Sequence, residues 1–395
     1  MDDPRSLSRK RRPRMRARLI VTLACLLGGP LLAEGVLRFL ILHPSALARS
    51  WGAELRDAKR YGDPGLDDAY WRLDWYFRGE REKERHAHFD PLLGWRGRRI
   101  GKGDYRHEDA VEGDPRRPIL LYGASYANCV TSREECFEGL VEQSDLATDH
   151  VLLNYGVGGY GIDQVYLLMR ESLDLYQDRD PIVIIAAVVD SDYERAFLTF
   201  RGQAKPRMRV EQGVLVEPEP VPQGTDAYFR EHGLGITSYA WHTLVHNTNL
   251  LPADWRETLK DTRGKRAEQL ELIRAILLAI HAELESRGLQ HFFVHCFSPR
   301  SFPRSRIQEV VDEIVRTCEE HAIPYVNTRP LYLESCRRNG RMAKHLYVRE
   351  GQGTNHPTAQ GNQLIFRAMR AGIEGHLSNG RPDATVEWTE AGSSR

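Results

Sequence analysis

Five short apolar runs alternate along the chain with longer stretches whose apolar residues recur every three or four positions. The runs cover residues 118–123, 150–155, 182–189, 291–297 and 323–327. They lack polar alternation, which is typical of strands buried on both faces of a parallel sheet. Helices are predicted between and after them, at 266–287, 304–321 and 360–377. The alternation predicts an α/β fold, a three-layer α/β/α sandwich around a mostly parallel, flavodoxin-like sheet.

The first 42 residues combine a basic segment with an apolar one. Residues 1–18 carry eight basic and two acidic side chains, a local charge of +6. Residues 19–42 are almost wholly apolar and would span roughly 36 Å as a helix, enough to cross a bilayer. Basic residues before a span indicate a cytoplasmic N-terminus. We therefore expect a single-pass transmembrane helix with the main domain outside the cytoplasm, in the periplasm. A signal peptide cleaved at Ala33 is the alternative.

The remaining sequence suggests one large domain with a stem and an insertion. Residues 43–116 are polar and aromatic and predict a stem that packs on the main domain, which occupies 117–378. Residues 201–262 are rich in Pro and Gly and predict an insertion beside the active-site edge. Residues 379–395 predict a disordered tail. The chain has no net charge, so the part after residue 18 is acidic by about six charges, which argues against nucleic acid as a partner.

Cysteine and histidine spacing gives no metal signature. The six cysteines include no CxxC pair and no Cys/His pattern of the zinc type, so we expect no metal and no cofactor. Cys129 and Cys136 are close enough to pair in an oxidising compartment. Nothing in the sequence determines the connectivity, and buried free thiols are the favoured interpretation. His295, near the end of a strand, is expected to be a packed residue.

A serine and a histidine stand where chemistry is expected. Ser125 follows the first strand of the main domain directly, in Gly123-Ala124-Ser125-Tyr126, and His356 precedes the last predicted helix. A serine hydroxyl becomes a nucleophile when a neutral imidazole accepts its proton. The pair predicts an enzyme that cleaves esters or transfers acyl groups. The Gly-x-Ser-x-Gly elbow is not matched, since Ala127 replaces its second glycine.

Four stretches resemble the signature blocks of the SGNH/GDSL hydrolase superfamily, over roughly residues 117–375. They are the Ser125 stretch, residues 154–161, residues 188–192 and residues 355–362. Residues 19–42 and the Asp-Pro-Leu-Leu-Gly-Trp stretch at 90–95 are similar to membrane-anchored bacterial members. The resemblance implies that Ser125 is the nucleophile and His356 the base. It also implies that the backbone N–H groups of Ser125 and Gly159 form an oxyanion hole.

Two positions depart from the family pattern. The oxyanion asparagine of the third block is replaced by Ser191 or Asp192, depending on the alignment. The acid that normally lies two or three residues before the histidine is also missing, since Gly353 and Thr354 hold those positions. Glu350 is the nearest carboxylate and is a candidate for that role. Otherwise a backbone carbonyl could orient His356, and the site would be a dyad or degenerate.

The resemblance implies a serine ester hydrolase or O-acyltransferase that needs no cofactor. Its substrates would be acyl esters, plausibly on cell-surface glycans or lipids. The alternative is a catalytically degenerate protein of the same fold that binds glycans or acts as a scaffold. Residues 156–161 also match the dinucleotide fingerprint GxGxxG. That interpretation leaves Ser125 and His356 unexplained and is disfavoured.

Overall fold

A computed structural model of the chain describes residues 12–78, 88–97, 113–222, 224–299, 307–340, 343–351 and 353–379. Its described residues divide into two compact units, drawn from 1–79 with 232–263 and from 80–231 with 264–395. The predicted stem and the predicted insertion are therefore each shared between the two units. The predicted tail lies outside the described residues except for Asn379.

The described strands and helices are as follows in chain order. The strands are β1 (His88–Asp90), β2 (Gly94–Arg96), β3 (Arg117–Gly123), β4 (His150–Gly156), β5 (Ile182–Val188), β6 (Arg209–Glu211), β7 (Val214–Val216), β8 (His291–Cys296) and β9 (Tyr325–Asn327). The helices are α1 (Arg12–Leu42), α2 (Ala46–Trp51), α3 (Asp68–Arg78), α4 (Ser125–Asn128), α5 (Phe137–Glu142), α6 (Ile162–Leu173), α7 (Asp192–Arg195), α8 (Thr225–His232), α9 (Tyr239–Asn247), α10 (Ala253–Lys260), α11 (Thr262–Ser286), α12 (Gln308–Glu320), α13 (Arg329–Asn339) and α14 (Ala359–Asn379).

The second unit is built on a five-stranded parallel sheet in the order β4-β3-β5-β8-β9. Numbered within the sheet, this order is 2-1-3-4-5, which is the flavodoxin-like arrangement. All five predicted strands are confirmed to within two residues at either end. After β3 the chain places β4 on one side of it, and then returns to place β5, β8 and β9 on the other side. The switch point of the sheet therefore lies between β3 and β5. Ligands of such sheets bind outside the carboxyl ends of the strands at this switch point. Ser125 follows β3, and residues 190–192 follow β5.

Helices cover both faces of the sheet, so the second unit has the three predicted layers. On one face Leu121, Ile184 and Val294 belong to a core that also contains side chains of α4, α5, α13 and α14. On the other face the Tyr122 hydroxyl contacts Ser172 of α6 at 2.7 Å, and His295 lies 3.8 Å from Cys318 of α12. Strand residues on both faces are fully buried, which is why the strands appear in the sequence as unbroken apolar runs.

The first unit joins α1 to helices from the predicted insertion. Its core contains Ile41, Tyr61 and Leu73 together with Ile236 and Tyr239. The helix predicted at 19–42 is present as α1, but among the described residues no helix meets the length and hydropathy needed to cross a membrane. Residues 201–262 are more ordered than a Pro- and Gly-rich loop, since they contain the β6/β7 hairpin and three helices.

Candidate active site

Ser125 lies at the carboxyl edge of the sheet, immediately after β3. Gly123 permits the turn that places it there, because a Cβ at this position would lie 2.3 Å from the Ala186 carbonyl oxygen and 2.7 Å from the Ala127 Cβ. Ser125 is half-buried. Among the described residues its hydroxyl has no hydrogen-bond partner. The nucleophile predicted from the sequence is thus held on a short helix with its hydroxyl available.

Two hydrogen-bond connections join the Ser125 segment to the His356 segment. The Tyr126 hydroxyl donates to the Asn355 carbonyl oxygen at 2.7 Å, and the rings of Tyr126 and His356 lie 5.6 Å apart between centroids. The Asn362 side-chain amide donates to the Glu135 carbonyl oxygen at 3.1 Å and to Thr131 Oγ1 at 3.0 Å. Residues about 230 positions apart are thereby brought together beside the switch point.

The loop that carries His356 is fixed by its own backbone hydrogen bonds. Val348 N donates to the His356 carbonyl at 2.8 Å, and His356 N donates to the Gly353 carbonyl at 2.9 Å. The Thr358 hydroxyl donates to the Leu346 carbonyl at 3.1 Å. Because the N–H and the carbonyl of His356 are both hydrogen-bonded, the backbone that carries the imidazole is fixed.

The hydrogen bonds of His356 determine which ring nitrogen can act as a base. Nδ1 lies 3.0 Å from the Gly353 carbonyl oxygen and 3.3 Å from that of Thr354. A carbonyl oxygen only accepts, so Nδ1 carries the proton and Nε2 keeps its lone pair. Burial lowers the pKa of His356, the two carbonyls raise it, Arg195 lowers it and Asp192 raises it, with a net decrease. The imidazole is therefore neutral near pH 7, as a general base requires.

The structure does not bring Glu350 to His356. Glu350 is exposed, and among the described residues it has no hydrogen bond or ion pair with the imidazole. The backbone carbonyls of Gly353 and Thr354 occupy the side of the ring that a carboxylate would take. The reason is local, since a residue six positions before the histidine lies outside the tight turn that these carbonyls close.

Ser191 and Asp192 are both engaged in structural hydrogen bonds. Asp192 is 1 % exposed, and its carboxylate accepts from Val188 N at 2.8 Å, Ser191 Oγ at 3.0 Å and Arg195 Nη1 at 2.7 Å. A carboxylate that accepts three hydrogen bonds offers no donor to an oxyanion. The Ser191 hydroxyl is likewise committed to Asp192. These contacts close the turn after β5 and leave donation to backbone N–H groups.

Gly159 lies on a loop that packs against the β1/β2 hairpin. Its φ of +87° is a backbone conformation that favours glycine. The buried Trp95 ring packs against Gly159, since a Cβ on this glycine would lie 3.4 Å from the ring. Trp95 Nε1 also donates to the Gly158 carbonyl at 3.3 Å. The Tyr160 hydroxyl donates back to the Trp95 carbonyl. Neither Ser125 N nor Gly159 N donates a hydrogen bond within the described part of the chain, so both remain available.

Arg195 and Asp190 adjoin this site and were not singled out from the sequence. Arg195 Nη1 donates to the Tyr160 carbonyl at 3.2 Å as well as to Asp192, so it couples the Gly159 loop to the turn after β5. Asp190 accepts from the Ser298 hydroxyl, and its Oδ1 is buried without a hydrogen-bond partner among the described residues. Their position just past the carboxyl end of a strand at the switch point was the available signal.

A disulfide closes the segment that follows the nucleophile. Cys129 and Cys136 are bonded, which corrects the expectation of free thiols for this pair. Cys296 and Cys318 are buried and free, in agreement with that expectation. His295 is the packed residue that was predicted, since it is 2 % exposed and its Nδ1 lies 3.1 Å from the Tyr193 hydroxyl. Burial lowers the pKa of His295 to about 3.

The Ser125 hydroxyl, the neutral His356 imidazole and the N–H groups of Ser125 and Gly159 belong to loops at one edge of the sheet. At this edge the described residues contain no group of three His, Cys, Asp or Glu side chains close enough to share a cation.

No protein-family model and no curated protein matches the chain. Solved structures that it resembles include the acetyl xylan esterase AlAXEase, with 13% identity and a TM-score of 0.36 over 65% of this chain and 99% of that one. A G-D-S-L family protein from Desulfitobacterium hafniense DCB-2 matches with 12% identity and a TM-score of 0.35 over 64% and 97%. The esterase EstA from Pseudoalteromonas sp. matches with 13% identity and a TM-score of 0.36 over 67% and 100%. Similarity at this level does not assign an activity to the chain.

Proposed function

We propose that the chain is a serine ester hydrolase or O-acyltransferase of the SGNH type that works with a Ser125–His356 dyad. The observation that carries the proposal is the state of His356. Its Nδ1 proton is held by the Gly353 carbonyl at 3.0 Å, and the Tyr126–Asn355 hydrogen bond keeps it beside the Ser125 helix. A neutral, oriented imidazole on a segment hydrogen-bonded to the helix of Ser125, whose hydroxyl has no partner among the described residues, supports the proposal of nucleophilic catalysis.

In the first half-reaction Ser125 Oγ attacks the acyl carbon, and its proton passes to His356 Nε2. The imidazolium keeps its Nδ1–H on the Gly353 and Thr354 carbonyls, whose negative ends stabilise the new positive charge. These carbonyls do the work that a carboxylate does in a triad. When the tetrahedral intermediate collapses, the alkoxide leaving group takes the proton from Nε2 and an acyl-enzyme remains.

The tetrahedral intermediate carries a negative oxygen that needs hydrogen-bond donors. The N–H groups of Ser125 and Gly159 are the candidates, because neither is used within the described part of the chain. Loss of one such donor typically costs about 3–4 kcal/mol in the barrier. In the second half-reaction Nε2 removes a proton from water or from a sugar hydroxyl as that oxygen attacks the acyl carbon. The bond between Ser125 Oγ and the acyl carbon then breaks, and Oγ takes the proton back from Nε2. The first acceptor gives hydrolysis, and the second gives acyl transfer.

The proposed substrates are O-acyl esters on cell-surface glycans or lipids, met outside the cytoplasm. The Cys129–Cys136 disulfide supports an oxidising compartment. Attachment to a membrane through α1 is supported by the basic residues of 1–18, before the apolar stretch 19–42, and by the exposed apolar side chains Leu32, Val36 and Phe39. A reporter fused to the C-terminus should be active only if it works outside the cytoplasm. A signal confined to the cytoplasm would refute this placement.

The catalytic proposal is tested by labelling with a fluorophosphonate probe, which reacts with an activated serine. Wild type should be labelled, and Ser125→Ala should not. Ser132→Ala is the matched control, since Ser132 is an exposed serine on the same segment, and it should label like wild type. Hydrolysis of p-nitrophenyl acetate should fall in parallel for Ser125→Ala. Labelling that survives Ser125→Ala would refute the nucleophile.

The second candidate function is a degenerate protein of the same fold that binds glycans. It is favoured because the Ser191 hydroxyl already donates to Asp192 and the Asp192 carboxylate only accepts, so neither of these side chains donates to an oxyanion. A folded wild type that neither labels nor hydrolyses any ester, but binds acylated oligosaccharides, would support this alternative.

A further inference from the structure

A cluster of two histidines and a glutamate lies at the opposite end of the sheet from Ser125. His281 and Glu285 belong to α11, and His291 is the first residue of β8. One ligand atom from each of the three side chains lies within 4.8 Å of the other two. We propose that His281, Glu285 and His291 form a structural binding site for one divalent cation of the zinc class.

The two histidines are already aimed at a common point. His281 Nδ1 and His291 Nε2 lie 2.8 Å apart, with the rings 5.0 Å apart between centroids. A separation this short requires a proton between the nitrogen atoms, because two lone pairs would repel each other. A cation takes the place of that proton after a small opening of the pair, since zinc binds imidazole nitrogen at about 2.0–2.1 Å.

The surroundings of His291 preset the ring form that a metal needs. His291 Nδ1 lies 2.9 Å from the Leu289 carbonyl oxygen, which only accepts, so Nδ1 carries a proton and Nε2 presents its lone pair. Histidine ligands of metals characteristically donate their second N–H to a carbonyl or carboxylate in this way. His291 is 1 % exposed, so its orientation is fixed by packing.

The third ligand, Glu285, also belongs to α11, and its exposure leaves the site open to solvent. Glu285 is one helical turn after His281, so both side chains lie on the same face of the helix. The chain then turns back tightly, with Leu289 N donating to the Leu284 carbonyl at 3.0 Å, and enters β8 at His291. Glu285 is exposed and His281 is half-buried, so a cation and a water ligand can reach the site.

Two histidines, one carboxylate and one water make a four-coordinate set that suits zinc. Bound there, the cation would tie the last turn of α11 to the first residue of β8. The candidate active site lies at the carboxyl ends of the strands, whereas His291 lies at the amino end of its strand. The proposed cation is therefore independent of the Ser125 reaction.

The test is a titration of the purified full-length chain with zinc chloride after removal of metal with EDTA. Isothermal calorimetry should show one saturable site, zinc should raise the melting temperature, and EDTA should reverse the rise. Loss of an outer hydrogen-bond partner already costs about 10–100-fold in metal affinity. His281→Gln, which loses a ligand, should therefore weaken binding by at least about 100-fold. His345→Gln changes an exposed histidine outside the cluster, so it is the matched control and should bind like wild type.

Glu285→Gln provides a second variant that does not threaten folding, because Glu285 is exposed. It should also weaken zinc binding while its metal-free melting temperature stays at the wild-type value. Cobalt should give the absorption bands of a four-coordinate site in wild type, and these should be lost in both ligand variants. Absence of saturable binding by folded wild type would overturn the proposal, as would zinc affinity unchanged in His281→Gln and Glu285→Gln.

Discussion

The Asp192–Arg195 pair beside the active site makes a quantitative prediction. Arg195→Met removes the cation and leaves the Asp192 carboxylate buried without a counter-charge. The two side chains are 1 % and 13 % exposed and lie 2.7 Å apart, so the pair is largely withdrawn from water. Removing one partner of a buried pair costs about 3–5 kcal/mol. Asp192 keeps its bonds from Val188 N and Ser191 Oγ, so we expect the lower end, about 3 kcal/mol.

The pKa of Asp192 determines how the stability difference between wild type and Arg195→Met changes with pH. Burial raises the pKa of Asp192, and Arg195 opposes that increase. A carboxyl whose pKa is higher in the folded state contributes most to stability when it is protonated, and the contribution falls as pH rises through the folded-state pKa. Without Arg195 the pKa of Asp192 should rise further. The stability gap between wild type and Arg195→Met should therefore be large near pH 7 and narrow on acidification toward the ordinary aspartate pKa of about 3.9.

Urea denaturation followed by circular dichroism measures the difference in the free energy of unfolding between wild type and Arg195→Met. The matched variant is the double change Asp192→Asn with Arg195→Met, which removes the buried charge and should recover most of the lost stability. Activity should fall in Arg195→Met as well, because the Tyr160 carbonyl loses its 3.2 Å contact and the Gly159 loop loses a support. A loss below about 1 kcal/mol, or a double variant no more stable than the single one, would refute the reasoning.

Three further predictions concern the site and its frame. His356→Ala should lower kcat by about 10²–10⁴-fold, whereas Glu350→Gln should leave the rate of ester hydrolysis unchanged; a comparable loss in both would restore Glu350 as the acid. Because the pKa of His356 is lowered by burial, the acid limb of kcat/KM should lie below the ordinary histidine value of about 6.5, and a limb above it would contradict the buried imidazole. Replacing Cys129 and Cys136 by serine should cost about 2–3 kcal/mol for a loop of this length, measured by urea denaturation against wild type; no loss would show that the disulfide does not stabilise the segment.

The sequence by itself determined the strands of the sheet and the positions of the two candidate residues, Ser125 and His356. Strands buried on both faces must be apolar at every position, so the five runs could be located to within two residues. Ser125 and His356 were identifiable because each lies at the edge of a regular element, where a polar residue next to an apolar run stands out. The strand order β4-β3-β5-β8-β9 came from the structure, because alternating strands and helices with right-handed crossovers are compatible with more than one order.

Only the tertiary structure decided what each of these residues contacts. The partner of His356 is a pair of backbone carbonyls, at Gly353 and Thr354, and a carbonyl has no sequence signature because every residue carries one. The nearest carboxylate in the sequence, Glu350, was a reasonable candidate that the turn of the loop leaves exposed. The Cys129–Cys136 bond depended on a turn whose geometry the spacing alone does not define.

The helices within residues 201–262 and the roles of Trp95 and Arg195 were likewise settled by folding. Proline and glycine are frequent in that segment, but helices form between them where apolar side chains find a core, as Tyr239 does with Tyr61 at a ring distance of 5.4 Å. Trp95 lies more than 60 residues before the loop it supports. Such contacts join segments far apart in the chain, and side-chain type and spacing do not encode them, because their free energy depends on packing that exists only after the sheet has formed.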